Sequence, residues 1–101
     1  MSAITSNKRK PKYPTEKVLM NALKLSLMHR KPIETCFYLD SLRGQISFAK
    51  DEDGEQVIYK GEDEYSSGIS DIRVDKESGT YLVFTQNSIH ILDMEHIKFN
   101  E

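Results

Sequence analysis

The chain has no tryptophan, a single cysteine, three prolines and five glycines in 101 residues. One cysteine excludes an internal disulfide and any zinc site built on several thiolates. No apolar run approaches the roughly 18 residues of a membrane-spanning helix. No glycine-rich phosphate loop, nucleophile elbow, His-Glu-x-x-His or dinucleotide fingerprint is present. The opening residues Met1-Ser2-Ala3-Ile4 place Ser2 where a myristoylation signal requires glycine, and no secretory hydrophobic stretch follows. These absences lead to the expectation of an intracellular protein, cytoplasmic or nuclear, that is not an enzyme and carries no cofactor or metal.

Charge is abundant, and it is segregated. The net charge is only −2. Residues 1–31 hold eight Lys or Arg against Glu16 alone, whereas residues 32–101 hold six against fifteen Asp or Glu. A basic arm on an acidic body follows. The densest basic stretch is Lys8, Arg9, Lys10 and Lys12, interrupted by Pro11. It suits phosphate contacts, an import signal, or a loose solvated terminus. The acidic body would be repelled by nucleic acid, so any such contact is expected through residues 1–12 and without sequence preference.

Residues 1–13 lack apolar periodicity and are expected to form a flexible basic arm. Residues 14–97 are expected to form one domain, and 98–101 a tail. Tyr13-Pro14-Thr15 reads as a helix entry, with Thr15 as the N-cap and Glu16 at the positive end of the dipole. The helix is predicted from about Glu16 to Arg30. Val18, Leu19, Ala22, Leu23, Leu25 and Ser26 follow helical spacing on one face. Met20, Leu27 and Met28 extend the apolar surface beyond that stripe, and an apolar excess of this kind marks a partner surface. Pro32 ends the helix.

The rest reads as strand. Alternation predicts a strand over 33–39 followed by a turn over 41–44. Further strands are predicted over 45–50, 56–60, 69–75, 80–85 and 88–92. Asp51-Glu52-Asp53-Gly54 is the turn of a hairpin, 61–68 an acidic loop, and 93–101 a polar tail with one helical turn. The run Tyr81-Leu82-Val83-Phe84 implies burial on both faces and therefore a central strand. The predicted fold is α+β: an N-terminal helix packed on a curved antiparallel sheet, or small barrel, of five to six strands.

Candidate chemistry is sparse. Cys36 lies in a β pattern and is expected to pack in the core. His90, Asp93 and His96 match no standard zinc spacing. Asp51-Glu52-Asp53-Gly54-Glu55 superficially looks like a calcium loop but lacks the fixed ligand positions of an EF-hand. Asp40, Asp71, Asp75 and Asp93 sit near predicted strand ends, with no spacing that pairs them. The aromatic residues stand among few basic ones, which suits core packing or a protein interface better than base stacking.

Asn21-Ala22-Leu23-Lys24-Leu25-Ser26, Lys31-Pro32-Ile33, and Tyr38 through Leu42 form a pattern, extended by 64–70 and 85–91. It resembles small proteins of the nucleocytoplasmic large DNA viruses over residues 21–92. The resemblance implies a viral origin, expression in an infected cell and a small accessory or virion role. It transfers no activity and no catalytic residue. The function expected is an interaction module, protein-binding or self-assembling. The second expectation is a nucleic-acid-associated protein using its basic arm.

Overall fold

A computed structural model describes residues 13–99. Helix α1 (Glu16–His29) opens the fold, followed by strand β1 (Ile33–Glu34) and a short helix α2 (Tyr38–Leu42). Strands β2 (Ser47–Lys50), β3 (Gln56–Gly61) and β4 (Glu64–Tyr65) come next. Strands β5 (Ile69–Asp75), β6 (Thr80–Thr85), β7 (Ile89–Asp93) and β8 (Lys98–Phe99) complete the described chain. The fold is α+β. The strands divide into two four-stranded sheets, ordered β1-β7-β6-β5 and β4-β3-β2-β8.

Three layers result. Val18 and Ala22 of α1 pack with Tyr38 of α2 and with Leu82 and Ile91 of the first sheet. The opposite face of that sheet offers Val83 and Leu92 to Phe48 and Ile58 of the second sheet, with Ile46 between them. Consecutive residues of a strand face opposite ways. Leu82 therefore serves the helix and Val83 the second sheet. The central-strand expectation for Tyr81–Phe84 holds, because β6 lies between β7 and β5.

The hairpins form where turn chemistry placed them. Asp51 accepts hydrogen bonds at Oδ1 from the amides of Asp53 and Glu55, both at 2.9 Å. Gly54 takes φ 83°, a left-handed conformation that glycine adopts without a Cβ clash. The resulting register pairs Lys50 with Gln56 and Phe48 with Ile58. The β5–β6 hairpin likewise aligns Asp75 with Thr80 and Ile72 with Val83.

Four expectations are corrected. The predicted strand over 33–39 stops after Glu34, and Tyr38–Leu42 is helical. Its apolar alternation overlaps with Tyr38 and Leu42 at helical spacing, and so short a window fits either period. Ser41, predicted in a turn, is instead buried on α2, where its hydroxyl donates to the Tyr38 carbonyl. Pairing is also not wholly antiparallel: β1 runs parallel to β7, and β2 parallel to β8. Lys98–Phe99, placed in the tail by the sequence, supplies that last strand.

Candidate protein-interaction surface

Helix α1 carries the surface, and its ends are fixed locally. Thr15 is extended at φ −67° and ψ 157°, and its hydroxyl accepts from the Val18 amide at 3.3 Å. That satisfies one of the free N–H groups of the first turn. At the other end Arg30 adopts a left-handed conformation, and its amide donates to the Ser26 carbonyl. Lys31 closes the same turn through its amide to Ser26 at 3.2 Å, while its ammonium donates to the Thr85 carbonyl of β6. The His29 and Phe84 rings stand nearly perpendicular, with centroids 5.0 Å apart. The C-terminal end of α1 is therefore tied to the sheet below.

The helix presents two apolar faces. Val18 and Ala22 are fully buried, and Leu25 packs beside them against the first sheet. Leu19, Met20, Leu23 and Leu27 are 37%, 52%, 44% and 73% exposed. At about 100° per residue these four share an arc of about 100° turned away from the buried face. The sequence assigned Leu19 and Leu23 to the core stripe, and the structure moves them to the outer face. Sorting the apolar positions by helical angle into two arcs is the signal that separates them.

Of the three residues expected at an interface, Met20 and Leu27 belong to this outer face. Met28 does not. It is 74% exposed and lies about 100° round the helix from Leu27. There it lines an open cleft of about 670 Å³ between α1 and β5, floored by Leu25 and Leu82 and flanked by Lys24, Arg73 and Lys76. Lys8, Arg9, Lys10 and Lys12 lie outside the described residues.

The other candidates disperse. Cys36 is exposed rather than packed in the core, standing in the turn before α2. Partial desolvation, aided by the neighbouring Glu34 charge, pushes its thiol up, which disfavours the reactive thiolate. His90 is 7% exposed and stacks on Phe37 at 5.6 Å. Its Nδ1 has no hydrogen-bond partner, and burial lowers its pKa from the ordinary value. Asp93 is an odd number of residues along the same strand, so its side chain leaves the sheet on the opposite face. Among the described residues, no group of three or more His, Cys, Asp or Glu is placed to hold a metal ion.

The four singled-out aspartates each have a structural partner. Asp40 pairs with Lys60 at 3.3 Å and Asp71 with Arg73 at 3.1 Å. Asp75 accepts from the Ser78 amide at 3.2 Å, and Asp93 from the Glu95 amide at 3.1 Å. The two acidic turns, treated separately in the sequence, meet at one open cleft. Asp51, Asp53, Glu62 and Asp63 line it with Tyr59 and Tyr65. Among the described residues no helix is long and apolar enough to cross a membrane.

No protein-family model, no curated protein and no solved structure matches the chain.

Proposed function

We propose that this protein is a non-enzymatic interaction module that binds protein through the outer face of α1. One observation carries the reading: Leu19, Met20, Leu23 and Leu27 form a contiguous exposed apolar face on a helix already anchored by its other side. Exposed apolar residues scattered singly are ordinary, whereas a contiguous set on a rigid element suits a partner. The resemblance to small proteins of the nucleocytoplasmic large DNA viruses supports a place as an accessory or virion subunit inside an infected cell.

The test is affinity capture from native extract after nuclease treatment, comparing the full chain with a Leu23→Glu, Leu27→Glu variant that retains its thermal unfolding. A differently tagged copy of the same chain is included as bait. Loss of a recovered protein, or of the tagged copy, in the variant supports the interface. Equal recovery by both forms overturns it.

The segregation of charge favours a second reading, in which residues 1–12 grip phosphates. It expects nucleic-acid binding that weakens steeply with salt and disappears when those residues are deleted. Binding that survives the deletion would count against it.

A further inference from the structure

Strand β5 ends the first sheet on one side, and among the described residues no strand pairs with its outer edge. None of its seven residues is buried, whereas all five residues of β7 are. The direction of its backbone groups follows from its neighbours. The Met94 amide donates to the Gly79 carbonyl, and the Thr85 amide to the Ser88 carbonyl. Odd-numbered residues of β6 therefore turn their backbone groups toward β7, and even-numbered ones toward β5. Arg73 and Asp75 lie opposite Leu82 and Thr80 and so bond to β6. Ile72 and Val74 alternate with them and present their N–H and C=O groups to the open edge. Asp71 and Arg73 flank Ile72, share the helix side of the sheet and are each about half exposed. Arg73 lies over the Phe84 ring and gives its Nε to Asp71 at 3.1 Å. Among the described residues its other guanidinium nitrogens make no hydrogen bond.

We infer that this edge pairs with the same edge of a second copy, the two β5 strands running antiparallel about a two-fold axis at Ile72. Two-fold contacts bring one patch of both copies together, so residue i meets j while j meets i. Directly opposed side chains share a face of the sheet, so the axis passes through a residue. At Ile72 it sets Asp71 of each copy opposite Arg73 of the other. At Asp71 it would oppose Asp71 to itself. At Arg73 it would oppose Arg73 to itself and Asp71 to Asp75. Like charges directly opposite destabilise a strand pair, so charge selects Ile72. Charged edge strands ordinarily deter pairing, but here opposite signs meet. The backbone fits the same register. The two Ile72 residues exchange both N–H···O bonds, and each Asp71–Arg73 pair takes a closer position with its Cα atoms about 4.5 Å apart. The bulge between Ile69 and Asp71 confines the ladder to residues 70–74, with Val74 opposite Ser70 at either end. So short a ladder buries less than the about 1,600 Å² of a standard stable interface. The dimer is therefore weak and dissociates on dilution. This edge is separate from the outer face of α1, and neither reading depends on the other.

Analytical ultracentrifugation of the full chain across micromolar to millimolar concentrations tests this. The wild-type chain is expected to pass from monomer to dimer, with slowed amide exchange at Ile72 and Val74 as the dimer forms. Asp71→Arg and Arg73→Asp are each expected to weaken dimerisation by about two- to thirtyfold, the range of two cross-strand charge pairs. An equimolar mixture of those two variants is expected to restore it, since the mixed pair again sets opposite charges together at both ends. Mixing would not repair a loss of folding, so the mixture separates pairing from stability. Val74→Pro removes an edge N–H that β6 does not use, and is expected to leave a folded monomer.

A wild-type chain that stays monomeric throughout overturns the inference. So does a mixture no tighter than its components, or a folded Val74→Pro variant that dimerises as tightly as wild type. Leu23→Glu is expected to leave this dimer unchanged. A dimer abolished by Leu23→Glu and indifferent to Asp71→Arg would overturn the β5 edge as the contact and assign self-association to α1.

Discussion

The Ser41 hydroxyl joins α2 to β7. It accepts a hydrogen bond at 2.9 Å from the amide of Asp93, 52 residues away in sequence, and donates to the Tyr38 carbonyl three residues back. Ser41 is fully buried. Its hydroxyl uses both capacities, as donor and as acceptor, in a place that water does not reach.

Ser41→Ala removes the hydroxyl and leaves a buried amide without this acceptor. Loss of one partner in a buried hydrogen bond costs about 1–3 kcal/mol. Urea denaturation is expected to show a lower midpoint with an unchanged slope. A midpoint equal to that of wild type would show that the hydroxyl does not bind α2 to the sheet.

His90 gives the fold an acid sensitivity of known sign. Burial lowers its folded-state pKa below the ordinary 6.5, with nearby Glu34 opposing the shift. The unfolded chain therefore binds the proton more readily, and stability rises with pH between the folded and unfolded values. The contribution is fully present above about pH 6.5 and is lost as pH falls through the interval toward the folded value. Stability measured from about pH 7.5 to about pH 5.5 is expected to fall more in wild type than in His90→Gln. Parallel curves would show that His90 does not carry the effect. Carboxylates common to both proteins cancel in the comparison.

Core and outer face separate cleanly under substitution. Phe48 is fully buried between the sheets, with its ring 5.6 Å from Tyr81 and 5.1 Å from Phe99. Phe48→Ala is expected to cost about 3–5 kcal/mol through lost burial and the cavity it leaves. Leu27, at 73% exposed, is expected to change monomer stability by no more than about 0.5 kcal/mol when replaced by Ser. Thermal unfolding at low protein concentration measures both. A large loss in Leu27→Ser would place that side chain in the monomer's packing and remove it from the interface.

The parts of this fold that the sequence disclosed are those settled by near neighbours. Thr15 and Pro32 bracket α1 through capping and helix-breaking geometry, and each hairpin carries its own turn residues. The helix α2 was hidden because Phe37, Tyr38 and Leu39 fit a strand as well as a helix until Ser41 finds the Asp93 amide. The parallel strands β1 and β8 were hidden for a related reason. Each is two residues long and exists through a partner distant in sequence, so neither carries enough pattern to declare itself. The surface was partly legible. Met20 and Leu27 stood out as apolar excess, but Leu19 and Leu23 looked like core because the width of a helix's buried arc depends on what lies beneath it. Here the sheet covers Val18 and Ala22 and stops short of both leucines.

The order of the three layers also bears on how the chain leaves the ribosome. Helix α1 is translated early, but Leu82 and Ile91, which cover its buried face, come from the last third of the sequence. Even the contact between Lys17 and Glu77 spans 60 residues. Until β6 and β7 emerge, the nascent helix shows both apolar faces at once. The length of chain between α1 and β6 sets how long the buried face of the helix waits for its cover.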